Sequence, residues 1–564
     1  MPFLFVVLVY TLCAGLTAPF SDLPLNDDWQ YAHVAKQFAE TGIFRIDVPV
    51  APTLVGQSLL AYPFIHLFGF SHVLLRLLTF MLSILCLWLF DLILARARIR
   101  SAVRVYAMLA LALNPFFFQL SLSFMTEIYG FFWMLLATWL WFNRDFGKPF
   151  PSVGRAVACG LIAGFSFWSR QFAALLFPAL WLASAFEHWQ ASRLELPLLT
   201  RSRLYRAIKA GLASGLAFAV SLFAYFPWAR VSGNLKPQFS QPLSSLLSPH
   251  LDLYLVHFPF WMFYFTLFGA GLLMNWKSAA PARSSRLKWL WFSWAGAICI
   301  YAWTKFDQSL WPRLFRRPYF PFYGNIFTQS GLGPLTTSDV YVLNEAVKPG
   351  HSRTIWLIVE VILLLISMRW FRVWASSKAL MSLKMNAVER TLSRFGLFSI
   401  GITLLVVVGA FQGQIFDRYL LGALFGLMFF LPLLFDRTHP VLSRTRWVLA
   451  YLPIVLLAGY TVMGVHDSFR WQEARGRLIV SAQAKSIDLA QLDAGYEPNG
   501  WHFYESRKPR GEQDACEEKN WFCVDRPYRI SLNPKAGDEV ISIESVATWL
   551  ANFPPLYLLK LKKP

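Results

Sequence analysis

The apolar run Phe3-Leu4-Phe5-Val6-Val7-Leu8-Val9-Tyr10-Thr11-Leu12-Cys13-Ala14-Gly15-Leu16, with Asn26-Asp27-Asp28-Trp29 a short step behind it, decides the class of fold. The first segment has no charge along its length. The second sets two carboxylates at its edge, ahead of an amphipathic stretch through Tyr31, Val34, Ala35 and Phe38. A carboxylate beside hydrocarbon is costly unless it faces water, a partner or a substrate. Working outward, the same alternation of apolar runs and polar joints fills most of the chain. Of its 564 residues 56% are hydrophobic and 15% charged, against about 25% charged in soluble domains. Apolar stretches of about 17 to 25 residues suit helices that cross a hydrocarbon core of roughly 30 Å. They fall near 72–95, 103–121, 124–142, 155–169, 172–186, 207–228, 256–275, 289–304, 353–368, 395–415, 418–435 and 447–465. The expected fold is an all-α polytopic membrane protein over residues 1–465, with a small C-terminal α/β domain over 466–564.

The formal net charge of +20 does not point to nucleic acid, because Lys and Arg gather in joints between apolar runs: Arg96 to Arg104, Arg193 to Lys209, Lys277 to Lys288, Arg369 to Arg394 and Arg437 to Arg446. Positive joints stay on the cytoplasmic side, which gives about 13 spans with the amino terminus inside and the carboxyl tail outside. The outer loops are then 21–71, 229–255 and 305–352. Residues 1–20 lack a basic lead, so they read as a retained helix rather than a cleaved signal. In loop 21–71, Asp28 to Thr41 and Thr53 to Phe68 have the pattern of two helices lying on the membrane surface. In loop 305–352, the basic and aromatic stretch from Trp311 to Tyr319 suits either a segment dipping among anionic head groups or an aromatic belt with snorkelling Arg. The tail opens with a helix over Ser468 to Ile487, continues in short strands and turns around Tyr496-Glu497-Pro498-Asn499-Gly500-Trp501, and has strands over Val540 to Val546 and Leu556 to Leu561. Cys13, Cys86, Cys159 and Cys299 lie in apolar segments as small buried side chains. Cys516 and Cys523 flank a polar loop in the outward tail, where a disulfide is the expected pairing, with a zinc pair as the weaker reading because no second Cys or His pair stands at ligand spacing.

Candidate chemistry gathers on the outer side. Asp27 and Asp28 have two readings: a general base that takes a proton from an acceptor hydroxyl, or a cap on the first turn of the following helix. Glu127, in Thr126-Glu127 after Asn114-Pro115, either joins the Asp27 loop to bind acceptor or a metal, or complements a helix dipole. Arg170 and Arg418 stand at outer helix ends, where positive-inside bias does not explain them. Each guanidinium offers planar paired donors to a phosphate; the bland alternatives are snorkelling for Arg170 and pairing with Asp417 for Arg418. His33, His66, His72, His250 and His257 show no ligand spacing backed by a carboxylate and read as interfacial or capping residues.

At these residues the chain resembles the GT-C superfamily of membrane glycosyltransferases, in the branch that holds protein O-mannosyltransferases and lipid A aminoarabinose transferases. Asp27-Asp28-Trp29-Gln30-Tyr31-Ala32 looks like that branch's Asp-Glu-x-x-Tyr-Ala motif. Gly69-Phe70-Ser71, Leu75-Arg76-Leu77, Asn114-Pro115, Glu127 and Asp417-Arg418-Tyr419-Leu420-Leu421 follow in the family's order. The resemblance implies Asp27 as catalytic base; Arg170 and Arg418 at outer helix ends, with Tyr419 and with Arg313 of the outer loop, are the residues expected to hold the phosphate of a polyprenyl-phosphate sugar. Where aminoarabinose transferases carry an acidic and basic pair before Pro-Pro, this chain has Thr53-Leu54-Val55-Gly56-Gln57-Ser58, which leaves a divalent metal site and the identity of the sugar open.

The expected activity is inverting transfer of a sugar from a polyprenyl-phosphate carrier to a lipid, glycan or protein acceptor, on the outer face of a bacterial inner membrane. Asp27, Asp28 and Glu127 would carry the acid and base roles. Two other classes compete. A lipid flippase would place its site at the midplane between repeated halves, and this chain shows no repeat; a non-catalytic assembly protein gives no reason for polar residues at so many outer helix ends.

Overall fold

The computed structural model describes residues 2–46, 48, 53–143, 151–194, 197–234, 251–276, 324–328, 331–332, 353–370, 373, 385–411, 415–439, 442–503, 526–550 and 553–562. The chain opens with α1 (Pro2–Leu16), α2 (Asp28–Thr41) and α3 (Val55–Phe68), and runs on through α4 (His72–Arg96), α5 (Ser101–Ala112), α6 (Pro115–Ser121) and α7 (Thr126–Phe142). Next come α8 (Val153–Ser166), the short α9 (Gln171–Ala174), α10 (Leu176–Leu194), α11 (Pro197–Phe223), α12 (Tyr225–Val231) and α13 (Leu251–Met274). A small hairpin of β1 (Phe327–Thr328) and β2 (Gly331–Leu332) precedes α14 (Arg353–Ser367) and α15 (Ala387–Phe411). A 3-10 turn, Asp417–Leu420, leads into α16 (Leu421–Thr438), and α17 (Arg444–Ala484) follows. The tail holds β3 (Leu492–Asp493), α18 (Tyr496–Phe503), β4 (Tyr528–Ser531), β5 (Glu539–Glu544) and β6 (Leu556–Lys560).

Among the described residues six helices are long and apolar enough to cross a membrane, or seven if the bent pair α5 and α6 is one span, so the chain is a membrane protein. Other expected spans fall on shorter apolar helices such as α1 and α8, and 289–304 lies outside the described residues. The run 103–121, expected as one straight span, bends by 64°. Pro115 has no N–H to return to the preceding turn. Asn114 restarts the helix as its cap, accepting from Phe116 N at 2.9 Å.

Helices approach closely where side chains vanish. On α8, Gly160 and Gly164 stand one turn apart, and a Cβ on either would lie 2.2 Å from Ser214 O or 2.6 Å from Phe218 O of α11. Gly396 of α15 and Gly426 of α16 meet in the same way, each added Cβ falling 2.6 Å from the other's carbonyl. Small residues let helix backbones touch in a medium where lipid is as apolar as any side chain.

α17 has 41 residues. At 1.5 Å per residue it is about 60 Å long, twice a hydrocarbon core of roughly 30 Å. Its second half, where the sequence predicts a separate helix from Ser468, carries the tail's mixed sheet in the order β3-β4-β6-β5. β3 is parallel to β4, while β4 and β5 are antiparallel to β6, with a register shift between Val540 and Ser542. Trp471, Ala474, Leu478 and Ala482 form one stripe of α17 against Leu492, Ile530, Leu556 and Leu558. Burying each large apolar side chain contributes about 1.5 to 3 kcal/mol. The two expected tail strands are β5 and β6, but Tyr496 to Trp501, expected as short strands and turns, forms α18. Pro498 falls in that helix's first turn, where its missing N–H has no partner to lose.

The basic joints collect at one end of the bundle and meet buried acids there. Arg104 pairs with Asp91 at 2.6 Å, Arg437 with Glu389 at 2.8 Å and Arg390 with Glu187 at 2.6 Å, while Arg100 bonds Asp436. α2 and the Asp27 turn lie at the other end, beside the amino-terminal ends of α4 and α7.

Candidate functional site

The approach to Asp27 is fixed before Asp27 is reached. Buried Arg76 of α4 donates to the carbonyls of Pro19 and Ser21 at 2.7 and 3.0 Å, and to that of Leu23 at 2.9 Å. Asp22 Oδ1 accepts from His72 N at 2.6 Å and from Ser71 Oγ at 3.0 Å, which locks the incoming segment onto the start of α4. Asn26 then turns the chain sharply with φ 53°. That left-handed backbone is one Asn tolerates better than most side chains. The turn sends the two aspartates in different directions.

Asp28 faces inward. It is buried, and its oxygens accept from Leu25 N at 2.5 Å and from Phe124 N at 3.3 Å. Burial raises its carboxyl to about 7, against the pull of Arg76 and those two amides. Asp28 thus staples the turn to the loop before α7 and does not enter the cluster described next. Asp27 stands at the cap position of α2 but makes no capping hydrogen bond. Its side chain keeps 28% of its exposure, Oδ2 accepting from Arg418 Nη2 at 3.1 Å and Oδ1 from the Tyr496 hydroxyl at 2.9 Å.

Behind Asp27 lies a buried charge cluster. Glu127, in the first turn of α7 and 2% exposed, has Arg170 Nη2 at 2.9 Å and Arg418 Nε at 3.8 Å from its Oε1. These contacts are ion pairs by distance only. Among the described residues no donor is aligned on either Glu127 oxygen, and Arg418 Nε has no acceptor. Buried polar groups are nearly always hydrogen-bonded, so a site with open carboxylate and guanidinium positions is set up to take a polar ligand. Arg170 comes this close because Gly130, one turn past Glu127 on the same face, has no Cβ; an added one would sit 2.6 Å from Arg170 Cβ. Arg170 also donates to Thr126 Oγ1 at 3.3 Å. The Tyr419 ring lies 5.4 Å from the Arg170 guanidinium and 5.6 Å from that of Arg418, within cation–π range of both.

The structure therefore brings together Asp27, Glu127, Arg170, Arg418 and Tyr419, which come from four distant parts of the chain. Arg418 does not pair with its neighbour. Asp417 instead accepts from Ile326 N at 3.1 Å and Phe327 N at 2.6 Å, which holds the β1 hairpin in place. Arg170 does not snorkel; it is buried against Glu127. Arg313, Cys516 and Cys523 lie outside the described residues. Among the described residues no three His, Cys, Asp or Glu side chains are grouped as metal ligands. Two tyrosines that the sequence gives no chemical role also stand at the site. Tyr31 is buried one helical turn after Asp27; burial raises its hydroxyl well above the ordinary range, with the charges of Arg170 and Arg418 acting against this. Its spacing of four residues from Asp27 was a readable signal. Tyr496 arrives from the tail, and nothing local in the sequence marks it.

No protein-family profile matches this chain, and no curated protein matches it. Among solved structures, that of ArnT from Cupriavidus metallidurans in the apo state is similar at 13% sequence identity and a TM-score of 0.34, over 86% of this chain and 80% of that one. Likeness at that level carries no argument about this chain's activity, and the functional reading rests on the site itself.

Proposed function

We propose that this chain is an inverting membrane glycosyltransferase that takes a sugar from a polyprenyl-phosphate carrier, with Asp27 as general base. The observation that carries the reading is one partly exposed carboxylate, Asp27, in front of two buried guanidiniums whose acidic partner, Glu127, leaves hydrogen-bonding positions open. Acceptor and phosphate need different faces of such a site, and the cluster has both. Asp27 takes the proton of the acceptor hydroxyl as its oxygen bonds to the anomeric carbon. The bond from that carbon to the phosphate oxygen breaks, and the electron pair leaves on the phosphate.

Arg170 and Arg418 meet that negative charge. Charge-assisted bonds to phosphate are roughly twice as strong as neutral ones. Before donor binds, Arg418 pairs with Asp27; an entering phosphate competes for the guanidinium and frees the carboxylate to act as base. Glu127 keeps both arginines in place, and Tyr419 flanks them. Arg313 is proposed to contact the same head group. Basic joints at the far end of the bundle favour an orientation with this site on the extracytoplasmic side, as for a bacterial inner-membrane enzyme acting on a lipid, glycan or protein acceptor.

The test uses the purified protein in vesicles with a panel of radiolabelled polyprenyl-phosphate sugars and membrane extract as the source of acceptor. The expected result is label on an acceptor with stoichiometric release of polyprenyl phosphate. Donor that crosses the bilayer without being consumed would contradict the reading and favour a transporter.

A further inference from the structure

We infer that Tyr496 is a positioning residue for Asp27, so that the carboxyl-terminal segment completes a site otherwise built by the membrane helices. The inference rests on the general-base reading of Asp27. The Tyr496 hydroxyl accepts from Gln30 Nε2 at 2.7 Å and donates to Asp27 Oδ1 at 2.9 Å. A phenol has one proton, and here it is directed at the carboxylate. Arg418 bonds the other oxygen. The rotamer of Asp27 is thus set by one donor from the membrane part and one from the tail.

The tail does not touch this turn by accident. Glu497, the next residue, is buried and accepts from Asn26 N at 3.0 Å, Gln472 Nε2 at 3.1 Å and Arg475 Nη1 at 2.9 Å. It bonds the turn directly before Asp27 to α17. Gly500 lies flat on the buried Trp29 ring, where an added Cβ would fall 2.5 Å from a ring carbon. Trp501 stacks on Phe70 with centroids 5.2 Å apart and meets His72 edge-on at 4.7 Å. α18 is therefore docked along its length, and Tyr496 is the residue of that dock that reaches the proposed base.

Tyr496→Phe removes the donor and keeps the ring. The expected result is a fall in kcat of about tenfold or more, the size of one hydrogen bond to a charged group, with the donor KM unchanged. A second readout does not depend on turnover: labelling of Asp27 by a water-soluble carbodiimide, located by mass spectrometry, should be several-fold faster in the variant. Unchanged labelling, or a kcat within twofold of native, would overturn the inference. If the native protein transfers no sugar, the glycosyltransferase reading fails, and the labelling experiment still decides whether Tyr496 holds Asp27.

Discussion

Arg418→Lys is the sharpest perturbation of the site, because it keeps the charge and removes the geometry. Arg418 reaches two acids at once, with Nη2 3.1 Å from Asp27 Oδ2 and Nε 3.8 Å from Glu127 Oε1. At an effective dielectric near 20 the gross attractions at those separations are about 5 and 4 kcal/mol. Desolvation of the buried groups offsets most of that, so the usable figure is the net one for a charge-assisted hydrogen bond. A lysine ammonium is a point donor on a flexible stem and cannot present a planar fork to a carboxylate and a phosphate together. Losing one charge-assisted bond costs about 1.5 to 3 kcal/mol. If that bond is made to the departing phosphate, kcat/KM falls about 10- to 150-fold. The assay is steady-state transfer from labelled donor by protein in vesicles, with donor affinity measured separately. A Lys variant within twofold of native in kcat/KM would refute the argument that the fork of Arg418 acts in transfer.

Other outcomes follow from particular contacts. The Asp28 carboxyl is raised to about 7 from the usual 3.8, so its contribution to stability is fully present below about pH 4 and is lost as pH rises through 7; the effect is at most about 4 kcal/mol. Thermal unfolding in detergent between pH 5 and 8 should show the loss, and Asp28→Asn should flatten it while retaining most activity. An added Cβ at Gly160 meets Ser214 O at 2.2 Å, whereas one at Gly154 meets nothing within 4 Å. Gly160→Leu should therefore cost about 3 kcal/mol or prevent folding, and Gly154→Ala should leave the unfolding temperature unchanged.

Much of the site is legible in the sequence because hydrocarbon makes stray charge conspicuous. Glu127, Arg170 and Arg418 each stand at the end of an apolar run with no topological reason to be there, and the structure brings all three to Asp27. The local alternative for Arg418 fails because a distant group competes better. Asp417 lies next to Arg418 in sequence, yet two backbone amides of the β1 hairpin claim its carboxylate. Tyr496 was illegible for a different reason. It lies 469 residues from Asp27, and Glu497-Pro498-Asn499-Gly500 has the composition of a turn. Only the packed Trp29 ring explains why Gly500 sits inside a helix. The bend at Asn114-Pro115 was hidden by hydropathy, which counts apolar residues and does not ask where Pro115's missing N–H leaves the preceding carbonyls.

The most direct measurement compares Asp27→Asn with the native protein in transfer from a polyprenyl-phosphate sugar, with donor binding measured in parallel. Asn keeps the shape of the side chain and cannot take the acceptor proton. The expected result is donor bound as in the native protein and a turnover lower by about 100- to 10,000-fold, the contribution of a positioned general base. Transfer by the Asn variant at the native rate would contradict the account.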